Sequence, residues 1–309
     1  MVTIPNAADI ASIAKDVSNW GRWGADDERG ALNLITDAKR AAAAALVQDG
    51  LAVSCALELP VTPAPDNPTP VTHHMTAAGD TIDDPSVPLQ HTGDYFAIAP
   101  HGMATTHLDA LCHVLRDGQM YNGFPASTVK SSGAERNAIT VAEEGIVSRG
   151  VLLDIPALRG VEYLEIDGRI GADELEAAEE RQGLRVESGD ILLVRTGRDT
   201  RREELGAWSP ADGMAGLAPD CLPWLRERDV AVLGSDGISD ALPSQVEGWV
   251  LPIHEVILPT MGVHLIDNAR LGPLAAACAE RQRWEFQLTL APLRLSGGTA
   301  SPINPIALL

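Results

Sequence analysis

HGMATTHLDALCHVLRDGQMYNGFP, residues His101 to Pro125, is the stretch whose reading decides this chain. At its centre, THLDALCH (Thr106 to His113) puts two imidazoles and a carboxylate, His107, Asp109 and His113, within seven residues. Successive side chains on a strand point to opposite faces, so His107 and Asp109 project the same way. A neutral imidazole beside a carboxylate suits a divalent ion such as Zn or Mn. His113 follows after Ala110, Leu111 and Cys112, where it serves either as a further ligand or as a proton carrier beside the ion. Taken in isolation, the same spacing also fits one or two satisfied surface histidines.

The longer string resembles the cyclase family of metal-dependent hydrolases, which includes bacterial kynurenine formamidase and isatin hydrolase. Its signature is H-x-G-T-H-x-D-x-P-x-H, and Thr106, His107, Asp109 and His113 match it. WGADDERGALNLIT (Trp23 to Thr36) and MYNG after the motif resemble the longer branch of that family. GSDGISD (Gly234 to Asp240) and PIHEVILPTMGVHLIDNARL (Pro252 to Leu271) resemble its later blocks. Thr105 and Leu111 replace the signature glycine and proline, neither of them a ligand position. Met103 stands where the family has its first histidine, and a thioether is a poor ligand for a hard or borderline ion. His101 lies two residues upstream, shares strand parity with His107 and Asp109, and is expected to substitute through a bulge or shifted register.

The resemblance implies further ligands downstream. His254 and Asp267 fall near the histidine and glutamate that help the formamidases bind a second metal, with Asp in place of Glu. Read without the resemblance, His254 is a helix-start residue after Pro252 and Asp267 a polar loop residue beside Asn268. His264 is a spare. The family also implies a swivelling β/β/α arrangement within the α/β class, and a homodimer or higher homo-oligomer.

Composition narrows the alternatives. A formal net charge of −20 and a pI near 4.6 argue against nucleic acid or an anionic membrane as partner. No segment approaches the ~20 apolar residues of a membrane helix. Cys55, Cys112, Cys221 and Cys278 are scattered with no C-x-x-C pair, which, without a signal peptide, suggests reduced thiols and a cytoplasmic location. Cys112 reads as a small buried filler, not a nucleophile. Phosphate-binding loops, dinucleotide fingerprints and serine-hydrolase elbows are missing from the sequence.

Along the chain, residues 1–35 read as an irregular arm and Thr36 to Val47 as a helix capped by Thr36. Leu51 to Leu59 reads as a strand. Residues 60–90, rich in Pro, Thr and Asp, read as a long loop that could cover the site, with His73 and His74 read as solvated loop histidines ahead of a ligand pair. Strands are expected at Asp94–Ala99, Thr105–Ala110, Val151–Ile155, Asp190–Arg195, Val230–Gly234 and Gln287–Arg294, and helices at Asp173–Gln182 and Cys221–Arg228. With no repeats and no dividing linker, residues 1–309 read as a single α/β domain.

The expected chemistry is hydrolysis of a cyclic or acyclic amide, or a lactone, in a small carbonyl compound. The ion would lower the pKa of a water and polarise the carbonyl, with His113 as general base. Asp109 would bridge to a second ion held by His254 and Asp267. Trp20, Trp23 and Tyr121 are candidates for lining an aromatic substrate pocket, or else ordinary packing residues. Rival readings are a non-hydrolytic cyclase or dehydratase of polyketide-like intermediates, and a metal-free binding protein on the same fold.

Overall fold

The computed structural model describes residues 4–81, 86 and 88–309. Among them, nine strands form one sheet. In chain order these are β1 (Ala52–Ser54), β2 (His107–Asp109), β3 (Ile146–Asp154), β4 (Ile191–Arg195), β5 (Val232–Ser235), β6 (His264–Asp267), β7 (Glu285–Leu290), β8 (Ala300–Pro302) and β9 (Ile306–Leu308). The spatial order is β1-β9-β7-β3-β4-β5-β6-β2-β8. The four central strands, β3 to β6, run parallel to one another, and every flanking pair is antiparallel.

Helices join the parallel strands, as a parallel connection requires. They are α3 (Ile155–Arg159), α4 (Ala172–Gln182), α5 (Arg198–Leu205), α6 (Cys221–Glu227) and α7 (Pro252–Val256). A sheet covered on both faces needs apolar residues on both, which accounts for runs such as ILLVR in place of alternation. Val151, Leu153, Leu192, Val194, Leu233 and Leu265 face one core together with Ile253 and Val256 of α7. Leu152, Ile191, Leu193, Val232, Ile266 and Leu108 face the other, where α8 (Gly272–Arg281) packs. Leu108 alternates with His107 and Asp109, so those two side chains turn to the α7 side of the sheet.

Three readings of the sequence are corrected. Residues 1–35 are not an irregular arm throughout: Ala7–Asp16 is a helix, α1, with Asn6 and Asp9 forming a capping box. The stretch 60–90 contains the strand Thr72–Ala77, paired with Gly93–Ala97 as a separate hairpin. Its residues are nearly all exposed, so no apolar face marked it in the sequence. The Leu51–Leu59 strand shrinks to Ala52–Ser54, beyond which only a single bridge joins Ala56 to Ala269. Other boundaries move by a few residues; Thr36 caps α2 (Asp37–Ala44) by accepting from the Lys39 amide, as its position predicts.

Candidate metal centre

β2 lies between β6 and β8, and register does the first part of the assembly. His107 sits opposite Asp267, and Asp109 opposite Leu265. Both carboxylates and the His107 ring therefore emerge on one face, a few ångströms apart. α7 crosses that face, with Pro252 at its first turn and Ile253 and Val256 in the core. The residue between them, His254, reaches down beside the carboxylates. The chain reaches β6 through Gly262, whose φ of +64° suits glycine and whose missing side chain leaves room for the Tyr121 ring.

Asp109 is the centre of the group. The ring nitrogens of His101 (Nδ1), His107 (Nε2) and His254 (Nε2) lie 3.0, 3.4 and 3.7 Å from its two carboxylate oxygens. Asp267 Oδ2 lies 4.0 Å from His107 Nε2 and 3.4 Å from His254 Nε2. Two sets of donor atoms, each drawn within 4.8 Å, share this carboxylate: His101, Asp109 and His113, and His107, Asp109 and Asp267. The structure thus brings together His101, His107, Asp109, His113, His254 and Asp267.

Outer contacts orient the rings. The Nδ1 of His107 donates to the Thr105 carbonyl at 2.8 Å, which turns Nε2 toward the centre. His254 Nδ1 meets Asp240 at 2.6 Å with the same consequence. His101 Nε2 lies 3.0 Å from the Thr299 hydroxyl, so its Nδ1 turns inward. The His113 ring stacks on that of His101, with centroids 3.6 Å apart.

The charge state follows from burial and neighbours. Burial alone would lower the His107 pKa, but Asp109 and Asp267 outweigh it and bring the imidazole up to about 9. Against the opposing effect of burial, the surrounding histidines hold the Asp109 carboxyl far below the usual range. His113 is pushed down to about 4, chiefly by burial, and is neutral at physiological pH.

The donor set fits a divalent ion. Both oxygens of Asp109, Oδ1 of Asp267 and Nδ1 of His101 are buried without a hydrogen-bond partner. Buried carboxylates left this way cost stability unless a cation satisfies them. Imidazole and carboxylate together suit a divalent metal ion.

The other candidates lie elsewhere. Tyr121 is fully buried and its hydroxyl donates to Asp27; Trp23 packs against the same core under the Arg22 guanidinium. Trp20 borders a 390 Å³ cavity with Arg116, Trp249 and Glu255. His73 pairs with Asp94 on the exposed hairpin, and His264 is buried with no partner for either ring nitrogen. Asp240, Thr299 and Asn268 were not singled out by the sequence reading. Asp240 had a signal as the last residue of the GSDGISD block, and Asn268 as a member of the Pro252 to Leu271 block; Thr299 had none.

Comparison with known proteins finds likeness along most of the chain. Residues 28–240 match the family described as "Putative cyclase". A solved structure described as a novel cyclase is 33% identical, with a TM-score of 0.85, over 95% of this chain and all of that one. An isatin hydrolase bound to its product analogue thioisatinate is 20% identical, with a TM-score of 0.59, over 86% of this chain and 94% of that one. Isatin hydrolase A from Ralstonia solanacearum is 21% identical, with a TM-score of 0.58, over 83% of this chain and 91% of that one. No curated protein sequence matches the chain significantly. The α/β architecture is the one these cyclase-family structures share, and among the described residues no helix is long and apolar enough to cross a membrane.

Proposed function

The chain belongs to the cyclase family, and from that premise we propose that it is a metal-dependent hydrolase opening a C–N amide or lactone bond in a small carbonyl compound. One observation carries the reading: Asp109, buried and without hydrogen bonds of its own, is shared by two sets of imidazole and carboxylate donors. His101, His107, Asp109, His254 and Asp267 would hold the ion. When bound, a divalent ion supplies Lewis acidity at a carbonyl oxygen and lowers the pKa of a nearby water.

The remaining chemistry belongs to the chain. His113 is neutral and half-buried at the edge of the group, able to take a proton from the attacking water. The same ring then returns that proton to the departing nitrogen or oxygen. The ring lies stacked on that of His101, a contact that would hold its plane through both transfers. Asp240 accepts from His254 Nδ1 and so directs Nε2 toward Asp109 and Asp267. The names of the isatin hydrolases support a cyclic amide as one substrate class to try.

The test is turnover of aryl lactones, cyclic amides and N-formyl anilines by Zn- or Mn-loaded protein in heavy-oxygen water. A hydrolase places the label in the new carboxylate. Turnover of any of these with no label in the product would point to a cyclase or dehydratase and overturn the proposal.

A further inference from the structure

His101 reaches Asp109 although the strand does not extend to it. Gly102 to Thr105 form a run of bends, with φ of +138° at Gly102, before β2 begins at His107. Ala104 and Thr105 are buried, so the carbonyls of this irregular segment need donors from somewhere else. One of them, the Thr105 carbonyl, accepts from His107 Nδ1, and two more distant side chains serve the run as well. Asn268 Nδ2 donates to the Gly102 carbonyl at 2.7 Å and to the Thr105 carbonyl at 3.1 Å. Arg198 Nη2 donates to the Met103 carbonyl between them at 2.5 Å, and its Nη1 lies 3.3 Å from Asn268 Oδ1. The amide orientation is fixed, because carbonyls face one end and a guanidinium the other.

Asn268 is also bound through its backbone. Its amide donates to the Gly237 carbonyl and its own carbonyl accepts from the Thr106 hydroxyl at 2.6 Å. It directly follows Asp267 and holds a φ of +55°, a conformation asparagine tolerates better than most residues. One fully buried residue therefore ties the end of β6, which carries Asp267, to both ends of the segment that separates His101 from His107.

We propose that Asn268 is a positioning residue that sets His101 at the Asp109 centre by holding the carbonyls of the 102–105 bend. It compensates for Met103, because a histidine set outside the strand needs a backbone that is fixed by other means. The inference rests on the reading of the Asp109 centre as a metal site, and deepens it.

The experiment is Co²⁺ titration, by absorption and calorimetry, of metal-stripped wild type, Asn268→Gly, His101→Ala and the double variant, with His107→Ala as the control. Glycine tolerates the positive φ and deletes the whole side chain, carboxamide included. Asn268→Gly should fold as wild type by circular dichroism and bind Co²⁺ roughly 10- to 100-fold more weakly, the usual loss on removing an outer partner of a ligand. In the His101→Ala background most of that loss should vanish, since a residue that acts through His101 has little left to position. If Asn268→Gly does not fold, Asn268→Asp decides instead, because it keeps the shape and puts an acceptor against two carbonyls. Wild-type affinity in a folded Asn268 variant would overturn the proposal, and so would a loss that multiplies undiminished with that of His101→Ala. Wild type that takes up no Co²⁺, or His107→Ala that takes up as much, overturns the metal reading itself.

Discussion

His254 Nδ1 and Asp240 Oδ2 lie 2.6 Å apart, in a buried pair. Asp240 also accepts from the backbone amides of Ile253 and His254, so one carboxylate fixes both the first turn of α7 and the ring it carries. Burial alone would lower the His254 imidazole, yet Asp267 and Asp240 together hold it well above its ordinary value. Asp240→Asn replaces an acceptor of three N–H groups by a group with one acceptor and an NH₂ that has to face a donor. Metal affinity should fall roughly 10- to 100-fold with the fold retained. Calorimetric titration with Zn²⁺ or Mn²⁺ checks this, and an unchanged dissociation constant would remove Asp240 from the account.

His107→Ala and Asp109→Ala should each abolish most of the metal bound by the purified protein while leaving circular dichroism and the unfolding transition recognisable. The donors removed are buried at the shared centre, and among the described residues Asp109 alone belongs to both sets. Metal content by elemental analysis decides it. Full occupancy in either variant would sink the assignment.

Local periodicity made part of this site legible. His107 and Asp109 share a face because β2 is a strand, and alternation needs no knowledge of the rest of the chain. Parity also set His101 on that side, but the structure reaches the same arrangement by another route, a bend held by Asn268 across 166 residues. Contacts at such separations leave no periodic trace. Asp240 acts on His254 across 14 residues through helix entry, and its role emerges only when α7 is laid on the sheet. The parallel core was legible because strands buried on both faces read as apolar runs. The hairpin at Thr72–Ala77 was not, because an exposed strand has no apolar side to show.

His264 supplies a pH test of stability. It is fully buried, neither ring nitrogen has a hydrogen-bond partner, and burial pushes its pKa down to about 4. The unfolded imidazole titrates near ~6.5, so between those values the unfolded chain binds a proton that the folded chain refuses. Stability is therefore full above the unfolded value and is lost as the pH falls toward the folded one. The span corresponds to at most roughly 3 kcal/mol. His264→Leu removes the penalty without leaving a void, and should gain on wild type as the pH drops from about 8 to about 5. Denaturant unfolding across that range measures it; parallel curves for the two proteins would show that His264 does not titrate on unfolding.

The last prediction separates ligand from base. His113 belongs by distance to the donor set of His101 and Asp109, yet it is half-buried and stacked, with its imidazole held neutral at about 4. If it is the proton carrier, His113→Ala should keep its metal and lose rate by ~10²- to 10⁴-fold, the typical worth of general acid–base catalysis. An acid limb set by His113 would lie well below neutrality, so an ionisation near pH ~7 that survives in the variant belongs to another group. Coupling among the histidines prevents the wild-type profile alone from making that assignment. Metal content and turnover of the variant, measured on one preparation, resolve it. Loss of metal as complete as in His107→Ala would make His113 a ligand and require another base. Full turnover would leave it no catalytic part, and a stability defect with unchanged turnover per folded molecule would mark it as packing beneath the motif.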